Sequence, residues 1–139
     1  MSDAQTATPA YGDALTAPFW EAAARHELLL QRCNACGHWQ FYPRPFCLEC
    51  YSHNVGWQPA SGSGTVYSQT TVHIQVAPDL PPPYVVAVVA LAEGPRLTTH
   101  IVNGTTEIGD AVRVTWRERA DAPPLPVFEP VDRAVSGER

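Results

Sequence analysis

The second half of the chain carries apolar and polar residues at the spacing of β-strands. Tyr84 to Leu91 is a continuous apolar run of strand length, which predicts a central strand buried on both sides. Ala111 to Glu118 alternates, which predicts a half-buried strand. Further strands are predicted at Thr65 to Ile74, Arg96 to Val102 and Leu125 to Phe128. Five short strands separated by turn residues fit a small closed barrel such as an OB-fold.

The first half predicts a short helix followed by a strand. Pro18 to Glu27 is rich in alanine and has a proline in its first turn, where a helix tolerates one. Leu28 to Arg32 then reads as a strand that leads into the first cysteine. Helical spacing predicts one shared face for four residues: Trp20, Ala23, Ala24 and Glu27.

Turn-forming residues place the main internal boundary at Pro59 to Gly64. Asp79 to Pro83 is predicted to be an extended loop stiffened by its prolines. The chain is therefore expected to divide into five parts: a flexible tail (1–15), a helical segment with its lead-in strand (16–32), a zinc ribbon (33–58), the barrel (59–130) and a second tail (131–139).

Two C-x-x-C pairs predict a metal site. Cys33 and Cys36 form the first pair, and Cys47 and Cys50 form the second after ten intervening residues. Two such pairs on tight turns can place four thiolates around one ion in a tetrahedron. Zinc is the expected ion, and iron in the same four-sulfur geometry is the alternative. Since four cysteines fill the shell, we expect one structural Zn²⁺ per chain rather than a catalytic metal.

The residues beside the two pairs differ. Gly37 follows the first pair and permits a tight backbone turn. Tyr51 stands at the matching position of the second pair, which predicts a slightly different turn there. His38 and His53 are near in sequence, but with four cysteines available we expect them to be surface residues.

Composition and charge narrow the functional classes. Of the 139 residues, 45% are hydrophobic and 17% are charged, which suits a packed core. The net charge of −5 argues against a role in wrapping nucleic acid. No apolar run of about 18 residues predicts a membrane span, and the N-terminal residues lack the pattern of a signal peptide. We therefore expect a cytoplasmic protein, whose cysteines bind metal rather than form disulfides.

The sequence shows no catalytic constellation. It contains no nucleophile elbow, P-loop or dinucleotide-binding glycine motif. His73 and His100 lie in strand patterns and are expected to be structural. Arg44 lies between two prolines and either contacts a phosphate or faces solvent. The residues alone therefore indicate a binding or scaffolding module rather than an enzyme that acts on its own.

Short motifs occur in a fixed order between Thr16 and Pro130. They include Pro18-Phe19-Trp20-Glu21, Leu30-Gln31-Arg32-Cys33-x-x-Cys36-Gly37, Phe41-Tyr42-Pro43-Arg44-Pro45-x-Cys47-x-x-Cys50, Gly62-x-Gly64-Thr65-Val66-Tyr67-Ser68, Pro83-Tyr84-Val85-Val86-Ala87 and Ile108-Gly109-Asp110-x-Val112. As a set they resemble the zinc-ribbon/OB-fold accessory proteins, a former domain-of-unknown-function family that accompanies thiolases. Leu48 and Tyr51 depart from the proline and glycine of the family pattern.

The resemblance implies a mainly β architecture: an N-terminal helical segment, a rubredoxin-like zinc ribbon and a C-terminal five-stranded OB-fold barrel. It also implies a non-catalytic subunit beside a thiolase-like acyltransferase or a steroid side-chain retro-aldolase. Related domains are fused to, or paired with, acyl-CoA hydratases. Such a subunit would complete its partner's fold and acyl-CoA channel, with acyl-CoA at the shared interface and two copies of each chain in a hetero-tetramer.

Aromatic and proline-rich segments are the expected contacts with that partner or with CoA. Prolines pre-order a loop, and aromatic residues and arginine are enriched at interface centres. The four expected contact residues are Phe41, Tyr42, Arg44 and Tyr84. A purely structural role, packing the ribbon against the barrel, stays open for them.

Two other functions remain as alternatives. A nucleic-acid-binding module would need a basic groove with stacking aromatics, for which Tyr67, Tyr84 and Trp116 are candidates. The net charge of −5 opposes that function. An electron-transfer iron site is the third possibility.

Overall fold

The computed structural model describes residues 12–78 and 80–131. Most of the two predicted tails lies outside this range, as does Asp79 of the predicted loop. The described residues form two compact units, one from residues 12–60 and 118–125, the other from residues 61–117 and 126–131. Helix α1 spans Ala17–Ala23, and strands β1 to β8 span Leu29–Cys33, Trp39–Gln40, Val55–Pro59, Ser63–Val72, Tyr84–Leu91, Arg96–Ile101, Ala111–Arg117 and Leu125–Pro130.

The first unit is built on a three-stranded antiparallel sheet in the order β2-β1-β3. Strand β1 is central, so Gln31 lies directly opposite Gln40 on one side and Trp57 on the other. Helix α1 contacts β1. The apolar core of the first unit is small and consists mainly of Phe19, Ala22, Ala23, Leu28 and Leu30.

Helix α1 is shorter than the pattern predicted and buries a different face. His26 adopts a left-handed conformation with φ 60°, and the N–H of Glu27 donates to the carbonyl of Ala22 at 2.9 Å. This hydrogen bond closes a Schellman motif that stops the helix. The prediction that Ala24 and Glu27 share a helical face with Trp20 and Ala23 is therefore wrong, since both fall beyond the last helical residue, where they are exposed.

The second unit is the predicted five-stranded closed barrel. Its strand order is β4-β5-β6-β8-β7, and β7 pairs with β4 to close it. Neighbours β5 and β6 are antiparallel, whereas β6 and β8 are parallel, with Ile101 opposite Phe128. The mainly β fold with an OB-type barrel is thus confirmed. The barrel core consists of Val66, Ala87, Val89, Leu91, Leu97, Ile101, Val112, Val127 and Phe128.

Strand β5 is buried on one face only, which corrects the prediction of burial on both. Ala87, Val89 and Leu91 are buried in the barrel core, whereas Val86 and Val88 are only partly covered. Within the barrel unit the outer side of a strand has no second layer.

Gly64 permits the close approach of strands at the point where the barrel closes. It lies opposite Leu91 of β5 and Val112 of β7. A Cβ atom at this position would stand 2.5 Å from Cγ1 of Val89 and 2.9 Å from the carbonyl oxygen of Ala90. Any larger residue must therefore push two strands apart.

We predict that Gly64→Ala destabilises the protein by roughly 1–3 kcal/mol, the usual cost of overpacking a core. Chemical denaturation followed by circular dichroism measures it. Gly56→Ala is the matched control, because a Cβ there meets only the side chain of Asn34, at 3.3 Å. Equal losses of stability for the two variants would contradict this account of Gly64.

Candidate metal centre

Four cysteine sulfur atoms converge in the first unit. The Sγ atoms of Cys33, Cys36, Cys47 and Cys50 all lie within 4.8 Å of one another. The Cys33–Cys50 and Cys36–Cys47 separations are both 3.7 Å. These are far longer than a disulfide bond. They match the ~3.8 Å edge of a tetrahedron with metal–sulfur bonds of ~2.3 Å.

Each C-x-x-C pair forms the same tight turn. In the first, the N–H groups of Ala35 and Cys36 point at Sγ of Cys33, at 3.3 and 3.4 Å. In the second, the N–H groups of Glu49 and Cys50 point at Sγ of Cys47, at 3.3 and 3.5 Å. Such amide donors stabilise the negative charge of a thiolate ligand.

Tyr51 adopts the backbone conformation of a glycine, so the prediction of a different second turn is wrong. Its φ is 65°, close to the 82° of Gly37. The N–H of Tyr51 donates to the carbonyl of Cys47 at 2.9 Å, as that of Gly37 donates to Cys33 at 2.9 Å. The metal geometry therefore imposes the left-handed conformation on a residue that does not favour it.

The backbone amides lower the pKa of two thiols. The N–H of Cys36 lowers the pKa of Cys33 to about 6, against the opposing effect of burial. Burial raises the pKa of Cys47, but hydrogen bonds from the N–H groups of Cys50 and Glu49 and from the thiols of Cys36 and Cys50 together outweigh it, so this pKa falls below its usual value. The neighbouring thiols raise the pKa of Cys36 and Cys50, so the amide hydrogen bonds favour the thiolate, the form that binds metal, at the two buried sulfur atoms only.

The histidines take no part in the cluster. The carbonyl of His38 accepts a hydrogen bond from the N–H of Cys33 at 2.9 Å, and the ring of His53 packs against Phe46 at 5.8 Å. In the barrel, His100 meets the ring of Tyr84 edge-on at 5.2 Å. Burial, helped by the charge of Arg117, lowers the pKa of His100, which favours a neutral structural imidazole.

The expected contact residues of the first unit lie in one loop, residues 41–46, which joins β2 to the second cysteine pair. Tyr42 and Arg44 are exposed, and Phe41 is partly buried against Phe19, with ring centroids 5.7 Å apart. The Arg44 guanidinium lies 6.0 Å from the Tyr42 ring centroid. Tyr84 belongs to β5 of the barrel and is partly buried.

Two buried glutamines, to which the sequence analysis gave no role, hold this loop. The side chains of Gln31 and Gln40 form a cross-strand pair, with Nε2 of Gln40 donating to Oε1 of Gln31 at 2.9 Å. Both residues are at least 95% buried. The sequence signals for Gln31 were weak: it is a polar residue inside the predicted Leu28 to Arg32 strand and one position of a family motif. Gln40 had no signal.

Two known domain families match this chain, one in each half. The family described as "ChsH2, rubredoxin-like zinc ribbon domain" matches residues 20–56. The family described as "ChsH2, C-terminal OB-fold domain" matches residues 57–117. A "DUF35 domain-containing scaffold protein" of Methanothermobacter thermautotrophicus is 34% identical over 100 residues, covering 68% of this chain and 74% of the relative. The chain belongs to the DUF35 family.

Longer proteins also contain a region similar to this chain. A "probable enoyl-CoA hydratase alpha subunit" of Thermomonospora curvata is 41% identical over 116 residues, covering 81% of this chain and 36% of the relative. A "3-oxo-4,17-pregnadiene-20-carboxyl-CoA hydratase alpha subunit" of Mycobacterium tuberculosis is 33% identical over 109 residues, covering 76% and 35%. This chain thus spans about a third of the length of these two relatives.

Solved structures show the same DUF35 architecture. A chain of the "Ltp2-ChsH2(DUF35) aldolase" is 38% identical, with a TM-score of 0.80, and the match covers 86% of this chain and 96% of that one. A DUF35 protein of unknown function from Sulfolobus solfataricus has a TM-score of 0.63 at 14% identity, which supports the fold alone.

The DUF35 ribbon and the cysteine geometry together identify the cofactor as one structural zinc ion. The four-thiolate cluster has the donor set and the spacing that a closed tetrahedral zinc site requires. Among the described residues, no helix is long and apolar enough to cross a membrane.

We predict one zinc per chain by elemental analysis, and loss of that zinc in Cys47→Ser. Since thiolate binding is coupled to folding of the ribbon, chelation or this substitution should unfold Leu28 to Trp57 and leave most of the barrel intact. Amide exchange resolved by residue tests this, with His53→Ala as a control that keeps its zinc. One equivalent of iron with a red colour would contradict the zinc assignment.

A second prediction concerns Tyr51. Tyr51→Gly should keep the zinc with undiminished affinity, because glycine adopts positive φ without strain. Tyr51→Val should bind zinc about tenfold more weakly than Tyr51→Gly, given a cost of roughly 1–2 kcal/mol for a residue with a Cβ atom in this conformation. Competition with a chromophoric chelator measures both affinities. Equal affinities for the two variants would show that the turn is not held in this conformation.

Proposed function

We propose that this chain is a non-catalytic subunit of an enzyme that acts on a CoA thioester. The carrying observation is the match with the Ltp2-ChsH2(DUF35) aldolase, because this chain covers 96% of the matched chain at 38% identity. The two longer relatives are named as alpha subunits of CoA hydratases, so they support the same class of substrate. The expected partner is a thiolase-like or aldolase catalytic subunit, with acyl-CoA near the shared interface.

The metal centre supports a scaffolding role. Its four thiolates complete a tetrahedral shell, whereas a catalytic zinc keeps one position for water or substrate. The zinc can therefore hold the ribbon together but has no free position at which to polarise a carbonyl. Catalysis would then come from the partner subunit.

An aromatic row in the first unit supports protein binding. Ring contacts run from Trp20 through Phe19 and Phe41 to Tyr42, with centroid separations of 4.9, 5.7 and 5.7 Å. An arginine lies near each end: Arg119 is 5.6 Å from the Trp20 ring, and Arg44 lies beside Tyr42. The row passes from buried Phe19 to Tyr42, which is 51% exposed. Such anchored aromatic and arginine side chains are typical of interface hot spots.

The barrel offers a second candidate contact, around Tyr84. The outward side chains of β5 include Tyr84, Val86 and Val88, all partly exposed. An antiparallel strand that faces water normally places polar residues outward. An apolar outer row therefore favours a protein partner on this face of the barrel.

The barrel aromatics give little support to nucleic-acid binding. The Arg96 guanidinium covers the Tyr67 ring at 3.8 Å, and Tyr84 meets His100 edge-on. A stacking platform needs aromatic faces open to bases. The Arg96 guanidinium already occupies one face of Tyr67, and Tyr84 is only partly exposed.

The proposal predicts a stable complex with a thiolase-like or aldolase catalytic subunit, which we expect to be encoded by a neighbouring gene. Co-expression should yield a co-purifying complex with two copies of each subunit, and this chain alone should turn over no acyl-CoA. Arg44→Ala and Tyr84→Ala should each weaken the complex at least tenfold, as hot-spot truncations do. Affinity is measured by titration of the separately purified subunits.

Arg25→Ala serves as the matched control for Arg44→Ala. Arg25 is also an exposed arginine of the first unit, paired with Glu27 at 3.3 Å, and should contribute nothing to the complex. Zinc content and thermal stability of each variant should equal those of the unmutated chain. A catalytic neighbour that is soluble, fully active alone and unaffected by this chain would end the proposal.

A further inference from the structure

The backbone of Arg44 is held by a side chain that is distant in sequence. Oε1 of Gln31 accepts a hydrogen bond from the Arg44 N–H at 2.7 Å, and Nε2 of Gln31 donates to the Arg44 carbonyl at 2.8 Å. One buried amide thus satisfies both backbone groups of a loop residue, as a neighbouring strand would. The side chain of Arg44 stays exposed.

Gln40 extends this support to the C-terminal end of the loop. Its Nε2 donates to the Phe46 carbonyl at 3.1 Å, and its Oε1 accepts from the Leu48 N–H at 3.0 Å. Leu48 lies between the two cysteines of the second pair. The loop is therefore tied to β1, to β2 and to the metal centre by the Gln31–Gln40 pair, which we call the amide clamp.

The clamp has no alternative arrangement that keeps its hydrogen bonds. Rotating the Gln31 amide would oppose donor to donor at the Arg44 N–H and acceptor to acceptor at its carbonyl. It would also remove the acceptor that Gln40 uses. Since both amides are buried, each lost partner would leave an unsatisfied polar group, which is costly. The burial of the two amides and the pairing of each donor with an acceptor therefore restrict the loop to one conformation.

We propose that the amide clamp is a positioning device that fixes the 41–46 loop before the catalytic subunit binds, so that Tyr42 and Arg44 dock without first being ordered. The docking of Tyr42 and Arg44 rests on the proposed function, whereas the fixing of the loop by the clamp does not. A preordered loop avoids the conformational entropy that a flexible loop loses on binding. Pro43, which is buried, and Pro45 restrict the same segment from within.

The first test needs no partner. In the zinc-loaded chain, the Arg44 amide should exchange with solvent at least tenfold more slowly than an open loop amide, although it lies outside every strand. Gln31→Met, similar in size but unable to form these hydrogen bonds, should abolish that protection while zinc content stays at one per chain. Gln58→Met, at an exposed position of β3, is the matched control and should leave it unchanged.

An Arg44 amide that exchanges freely in the unmutated chain would overturn the clamp. That measurement decides the point even if Gln31→Met fails to fold. Unchanged Arg44 protection in a folded Gln31→Met variant would overturn it as well.

The second test is a double-mutant cycle on binding to the thiolase-like subunit. Gln31→Met should weaken binding about tenfold in the unmutated background and little further in Tyr42→Ala, because both changes act through the same loop. Additive losses would overturn the docking role. If the unmutated chain binds no such subunit, the proposed function fails and the docking role with it, whereas Arg44 protection would still establish the clamp itself.

Discussion

Four sulfur atoms must meet within 4.8 Å, and this constraint organises the whole ribbon. The first unit has a small apolar core, too small to order two loops and three short strands by burial alone. Zinc binding supplies the missing stabilisation, because the thiolate site forms only when both pairs take the same turn. The left-handed conformation of Tyr51 is one result of this requirement. The amide groups that point at Cys33 and Cys47 are another.

The amide clamp depends on the same constraint. Leu48 is fixed between two metal ligands, so Gln40 has a stationary N–H to accept from, and Gln31 is fixed in turn by Gln40. The metal therefore orders the 41–46 loop indirectly, through Leu48 and the two glutamines, although no residue of the loop is a ligand. A subunit without a catalytic metal position can in this way still make its affinity for a partner depend on zinc.

Local patterns predicted the ligands and six of the eight strands in the described residues. They did not predict β2 and β3, and contacts between distant residues escaped prediction. The C-x-x-C pairs and the apolar run of β5 each carry their signal within a few residues. The end of helix α1 at His26, the one-sided burial of β5 and the conformation of Tyr51 all depend on neighbours brought close by folding. The Gln31–Arg44 hydrogen bonds join residues 13 positions apart. No periodicity reports such a bond, so glutamine in a strand remained an unexplained residue until the structure was known.

The first unit is not continuous in sequence. After four barrel strands the chain returns to it with residues 118–125, where Glu118 pairs with His26 at 2.6 Å and Arg119 donates to the Pro123 carbonyl at 2.8 Å. Only then does β8 complete the barrel. During synthesis on the ribosome, neither unit has all its residues until nearly the whole barrel sequence has been made. Gene fusion or recombination at the Pro59–Gly64 joint would likewise separate Glu118 and Arg119 from the ribbon. We therefore expect the two units to be inherited together.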